Sequence, residues 1–127
     1  MRRTLILTLA VLVCALAVCG YSMFALNDTV DQAMRLHNHA MLAADSGDGD
    51  RAAALLVQLA QLWKDRAGRM ETLANHDALH DVAAAIAEAQ ICLKCHDHDD
   101  FLRTMSTVLL GLEHLKDDEA VRWENLY

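Results

Sequence analysis

The chain has 127 residues with no proline, five glycines, 54% hydrophobic against 5% aromatic residues, and a formal net charge of −7. Without proline nothing interrupts long helices, few residues supply the tight turns of a sheet, and the abundance of alanine and leucine points to an all-α fold. The acidic balance repels phosphate backbones and excludes nucleic acid as a partner.

The most informative segment comes first. Arg2 and Arg3 precede an uncharged run of 23 residues, Thr4 to Leu26. As a helix that run measures roughly 34 Å, enough to span the hydrocarbon core of a bilayer. All 18 acidic residues lie after it, against 9 Lys/Arg, so the remainder carries a formal charge of −9. The distribution predicts a single-pass protein of the cell membrane, with a cytoplasmic N-terminus and an exported acidic domain. Residues 1–26 are therefore read as a signal-anchor and 27–127 as an extracytoplasmic α-helical domain. A cleaved signal has a shorter apolar core, although Ala15-Leu16-Ala17 resembles a cleavage site. Leu16-Ala17-Val18-Cys19 approaches a lipoprotein signal, with Val18 bulkier than that signal allows. Each alternative leaves the domain outside the cytoplasm. The remaining stretch of about 100 residues suffices for one small core.

Four helical segments follow. From Asn27 to Ala44, the residues Val30, Met34, His37, Met41 and Ala44 share one face, and Asn27 or Asp28 can cap the start. Nothing between this segment and the apolar run breaks a helix. Asp45-Ser46-Gly47-Asp48-Gly49-Asp50 is the clearest turn. Its aspartates do not place a calcium-loop glycine and glutamate in register, so helix capping by Asp48 or Asp50 is the better reading. Arg51 to Ala74 is strongly amphipathic: Leu56, Leu59, Trp63, Met70 and Leu73 oppose Gln58, Gln61, Asp65, Arg69 and Thr72. Asn75-His76-Asp77 forms a corner. Leu79 to Leu93 sets Leu79, Val82, Ala83, Ile86 and Leu93 on a common face. After a turn at His96-Asp97-His98-Asp99, Phe101 to Leu115 carries Leu102, Met105, Val108, Leu109, Leu112 and Leu115. Lys116 to Tyr127 is a charged tail. The turn-plus-helix units Asp48–Trp63 and Asp97–Leu112 repeat at an offset of 49 residues. The whole is a transmembrane helix followed by a bundle of about four helices, arranged as two stacked antiparallel pairs.

Cys92-Leu93-Lys94-Cys95-His96 matches C-x-x-C-H, the attachment pattern of c-type haem. The two thiols would bond the vinyl groups and His96 would ligate the iron, outside the cytoplasm as the topology requires. Cytochromes c′ are small helical bundles with this pattern on a helix. Against it, Cys92 already has a packing reason as a small apolar residue on a helix face, and no clear second axial ligand follows. Met105 or His98 would have to serve. A Cys92–Cys95 dithiol is a further option, but a thioredoxin-like site needs a βαβ context that is missing.

The seven histidines invite a metal reading. His76 and His80 share a helix face, and His96 and His98 sit among aspartates. No four-ligand zinc unit is recognisable, however. His37 reads as a satisfied core histidine and His76 as a corner residue. No nucleophile–base set or phosphate loop emerges, so no enzymatic activity, metal, cofactor or small-molecule substrate is expected.

Several of these features occur together: the basic start, the span, the Gly/Asp turn, Trp63, the Asn75-His76-Asp77 corner, Leu112-Glu113-His114-Leu115 and the ending Glu124-Asn125-Leu126. In this the chain resembles the small membrane-anchored bacterial proteins grouped as domain of unknown function family 4363. The resemblance covers nearly the whole chain. It implies a protein without assigned activity, in which Cys92, Cys95 and His96 are incidental. The expected role is interaction or scaffolding with an envelope or membrane protein. Trp63, His76, Trp123 and Tyr127 are structural or partner-facing positions, Trp63 being core. The alternatives are a membrane-tethered haem carrier using Cys92, Cys95 and His96, and a metal-binding helical domain using His76/His80 or His96/His98.

Overall fold

The computed structural model describes the backbone of residues 1–70 and 76–125, and the side-chain surroundings of residues 1–69 and 76–117. Four helices occupy these residues: α1 (Arg2–Asp45), α2 (Gly49–Met70), α3 (His76–Lys94) and α4 (His98–Asn125). The chain is all-α among the described residues. Of the expectations above, Leu73, Asn75, Leu126, Tyr127 and the side chains of Met70 and Trp123 lie outside them.

α1 is one continuous helix of 44 residues, roughly 66 Å long. Its first half touches nothing: the apolar window is 0% buried, and Leu5, Leu9, Val13 and Leu16 are all exposed. By length and composition this helix can cross a membrane. Its second half belongs to the bundle. The changeover falls inside the apolar run, because Leu26, the last residue of that run, is 4% exposed and sits in the core.

The buried positions follow a heptad. They step by fours and threes through Leu26, Val30, Ala33, His37 and Ala40 on α1, and through Ala52, Leu56, Leu59 and Trp63 on α2. The same stepping continues through Leu79, Val82, Ile86 and Ala89 on α3, and through Phe101, Met105, Val108, Leu112 and Leu115 on α4. A repeat of 3.5 residues keeps one seam of each helix on its neighbours, as in a four-helix bundle. Consecutive helices pack on one another, and α4 closes the ring on α1. The cross-bundle contacts pair early positions with late ones: Asp28 with Arg66, Asp31 with Lys116, Trp63 with Leu79 and Val82 with Gly111. All four helix pairs are therefore antiparallel.

The two described turns are copies of one another. The N–H of Asp48 donates to the Ala43 carbonyl at 2.9 Å, and that of Gly47 to Ala44 at 3.1 Å. In the second turn Asp97 donates to Cys92 at 3.0 Å and His96 to Leu93 at 3.3 Å. These paired bonds close the helix C-terminus, with a left-handed residue between them. Gly47 has φ +80° and His96 has φ +55°. The next helix starts from an aspartate: Asp48 Oδ1 accepts from the Arg51 N–H at 3.1 Å, and Asp97 Oδ1 from the Asp100 N–H at 3.2 Å. Every pair is 49 residues apart, the offset seen in the sequence. Buried positions repeat at that offset too, as in Leu56 with Met105 and Trp63 with Leu112.

Three sequence expectations shift. The segment from Lys116 was read as a tail, but α4 continues to Asn125, since no proline or glycine stops it. His76 and Asp77, read as part of a corner, lie within α3. Ala83 is exposed, because the heptad carries the seam from Val82 to Ile86 and leaves Ala83 on the flank.

Candidate functional site

Cys92, Cys95 and His96 fall at the α3–α4 turn. Cys92 is half-buried in the last turn of α3, with Sγ 3.9 Å from Thr104 Oγ1. The Thr104 hydroxyl itself donates to the Asp100 carbonyl at 2.7 Å, so Cys92 supplies the weak hydrogen to Thr104. Cys95 is exposed, and both cysteines are free thiols. His96 is the left-handed residue of the turn and borders two shallow cavities, of about 180 and 370 Å³. The spacing of the three residues therefore has a backbone explanation: they stand where Ala43, Ser46 and Gly47 stand in the first turn, closing α3 as those close α1.

Asp97 and Asp100 face each other at the start of α4. A hydrogen bond with Asp97, and its like charge, hold the Asp100 carboxyl above its ordinary value of 3.8, against the pull of Arg103 at 3.2 Å.

The buried polar side chains are occupied structurally. His37 donates Nε2–H to the Met105 carbonyl at 2.8 Å, tying α1 to α4, as its reading as a core histidine anticipated. Thr29 donates to the Ala25 carbonyl at 2.8 Å and accepts from Arg66 at 3.3 Å. Trp63, 1% exposed, donates Nε1–H to the Leu79 carbonyl at 3.0 Å and joins α2 to α3. Among the described residues no buried side-chain nitrogen or oxygen lacks a partner.

His76 and His80 come together on the outer face of α3. Their Nε2 atoms are 3.0 Å apart and their rings meet edge to face, with centroids 4.3 Å apart. They line a cavity of about 210 Å³ together with Trp63, Lys64, Leu79 and Gln90. The i,i+4 spacing announced a shared face; the atomic approach had no sequence signal. Among the described residues no three His, Cys, Asp or Glu side chains cluster in a metal-holding arrangement.

Sequence reasoning missed the polar fastening of α1. Arg66 reaches both Asp28 (4.0 Å) and Thr29, and Lys116 reaches Asp31 at 3.2 Å. The only signal was the coincidence of Asp28 and Asp31 with the end of the apolar run.

The family model described as Domain of unknown function (DUF4363) matches residues 20–126. The chain belongs to this family. The DUF4363 match takes in the whole bundle and begins at Gly20, within the apolar run. It spans Cys92, Cys95 and His96 as well as His76 and His80. No curated protein and no solved structure matches the chain.

Proposed function

We propose that this DUF4363 protein is a non-enzymatic, single-pass membrane protein of the bacterial cell envelope, whose helical bundle stands outside the cytoplasm as an interaction or scaffolding domain. One observation carries this reading: α1 has an entirely uncovered apolar half that passes without a break into a heptad-packed half. Water does not tolerate a bare apolar helix of that length, and a bilayer accepts it. Arg2 and Arg3 ahead of the span, and acidic residues only after it, support the outward orientation. The interaction role is supported by what the polar groups do: Thr29, His37 and Thr104 are spent on joining or shaping helices.

Two measurements test the reading. The chain should resist extraction from membranes by alkaline carbonate, and alkaline phosphatase fused after Tyr127 should be active. Carbonate-soluble protein or an inactive fusion contradicts the placement. Photo-crosslinking from the exposed Val57 and Ile91 should give a discrete adduct of defined mass; uncrosslinked monomer from every surface position contradicts scaffolding. Co-expression with a haem-maturation system should give no haem-stained band after denaturation. A band lost in Cys92→Ala would replace this reading with an electron carrier.

A further inference from the structure

We propose that His76 and His80 form a two-nitrogen chelate for a divalent transition-metal ion of the copper(II) type, on the outer face of α3. The inference stands apart from the scaffolding role and takes up the metal alternative that the sequence leaves open at this pair.

The geometry comes first. Metal–imidazole bonds are about 2.0–2.1 Å long, so two ligating nitrogens lie roughly 2.9 Å apart at a right angle and roughly 3.4 Å apart at a tetrahedral angle. The two Nε2 atoms are 3.0 Å apart. That separation is set by the hydrogen bond between the rings, and small rotations of these two exposed side chains reach either bite. The choice of copper(II) rests on its place at the head of the affinity order for nitrogen ligands.

Both imidazoles are exposed, so an ion reaches them without opening the bundle. They project from successive turns of one helix, which fixes their spacing in advance. Asp77 and Asp81 follow each histidine directly, and the domain as a whole is acidic, which attracts cations. Lys64 lines the same cavity and opposes this in part. Among the described residues no third His, Cys, Asp or Glu joins the pair.

In the metal-free protein one Nε2–H donates to the other Nε2. Chelation needs both Nε2 lone pairs. The donor ring therefore moves its hydrogen to Nδ1, and two neutral imidazoles bind with no net change in protons.

Trp63 lines the same cavity and serves as a built-in reporter. The experiment uses the full chain in detergent micelles carrying Trp123→Phe, which leaves Trp63 as the one indole, and titrates it with copper(II) in glycine buffer. The expected result is saturable quenching at one equivalent and a tetragonal electron paramagnetic resonance spectrum with nitrogen coupling. Affinity should fall at least about tenfold in His80→Gln, as loss of one tethered ligand predicts, with helicity unchanged by circular dichroism. The double variant His96→Gln/His98→Gln should bind like the parent. Unsaturable quenching, equal affinity in His80→Gln, or loss of binding in the His96/His98 variant would overturn the site. Tighter binding of zinc(II) than of copper(II) would overturn the copper(II) assignment.

Discussion

His96 and Gly47 hold the same place in the two matching turns, but only one of them is a glycine. A side chain in the left-handed region meets its own backbone and costs roughly 1–2 kcal/mol. His96→Gly should therefore raise stability by about 1 kcal/mol, read as a higher urea midpoint at unchanged slope. Gly111 presents the reverse case. A Cβ there would lie 2.6 Å from Val82 Cγ2, and a β-branched side chain held in a seam has little freedom to turn away. Gly111→Ala, which by helix propensity alone would stabilise α4, should instead cost about 1–3 kcal/mol and lower the melting temperature. The Asp97–Asp100 pair supplies a pH dependence. Because the Asp100 carboxyl is raised above 3.8, this pair stabilises the fold most fully below that value and loses the contribution as pH rises through its elevated pKa. In Asp100→Asn that limb should flatten, seen in denaturation midpoints measured from about pH 3 to 7.

Among the elements, α2 was the most legible in sequence, since Leu56, Leu59 and Trp63 are large and their spacing is unambiguous. The structure buries all three. α4 was legible only as far as Leu115. Beyond it the charged residues Lys116 and Asp117 hid the helix, although exposed helix surface is where such residues belong. α1 was harder still. The change from apolar to polar at Asn27 marks the end of a hydrophobic run and not of a helix, so Leu26 was assigned to the span while its side chain enters the core. The contact of Gly111 with Val82 and the approach of His76 to His80 depend on a neighbouring helix or on rotamers, and neither leaves a trace in composition. The fastening of α1 by Arg66 at Asp28 and Thr29 belongs to this scale as well. Arg66 and Asp28 are 34% and 42% exposed, so the pair is well screened. Arg66→Ala should cost less than about 1 kcal/mol, and the loss should shrink further in high salt, as thermal melts at two ionic strengths would show.

At the scale of the whole molecule, two helical hairpins offset by 49 residues pack into one ring of four helices, and one of those helices extends out of the ring as a bare apolar rod. Up-and-down topology puts the turns at 46–48 and 95–97 at the end of the bundle away from the rod, and brings the end of α4 back toward it. The proposed topology therefore sets Cys95 at the far tip and Cys14 and Cys19 within the bilayer, all three exposed in the isolated chain. Single-cysteine variants treated in intact cells with a membrane-impermeant maleimide read this directly. Cys95 should react from outside without permeabilisation, and Cys14 should stay unmodified until the chain is extracted and denatured. Labelling of Cys14 as fast as Cys95, or of Cys95 only after the cells are opened, would contradict a helix that leaves the membrane and enters the bundle without a break.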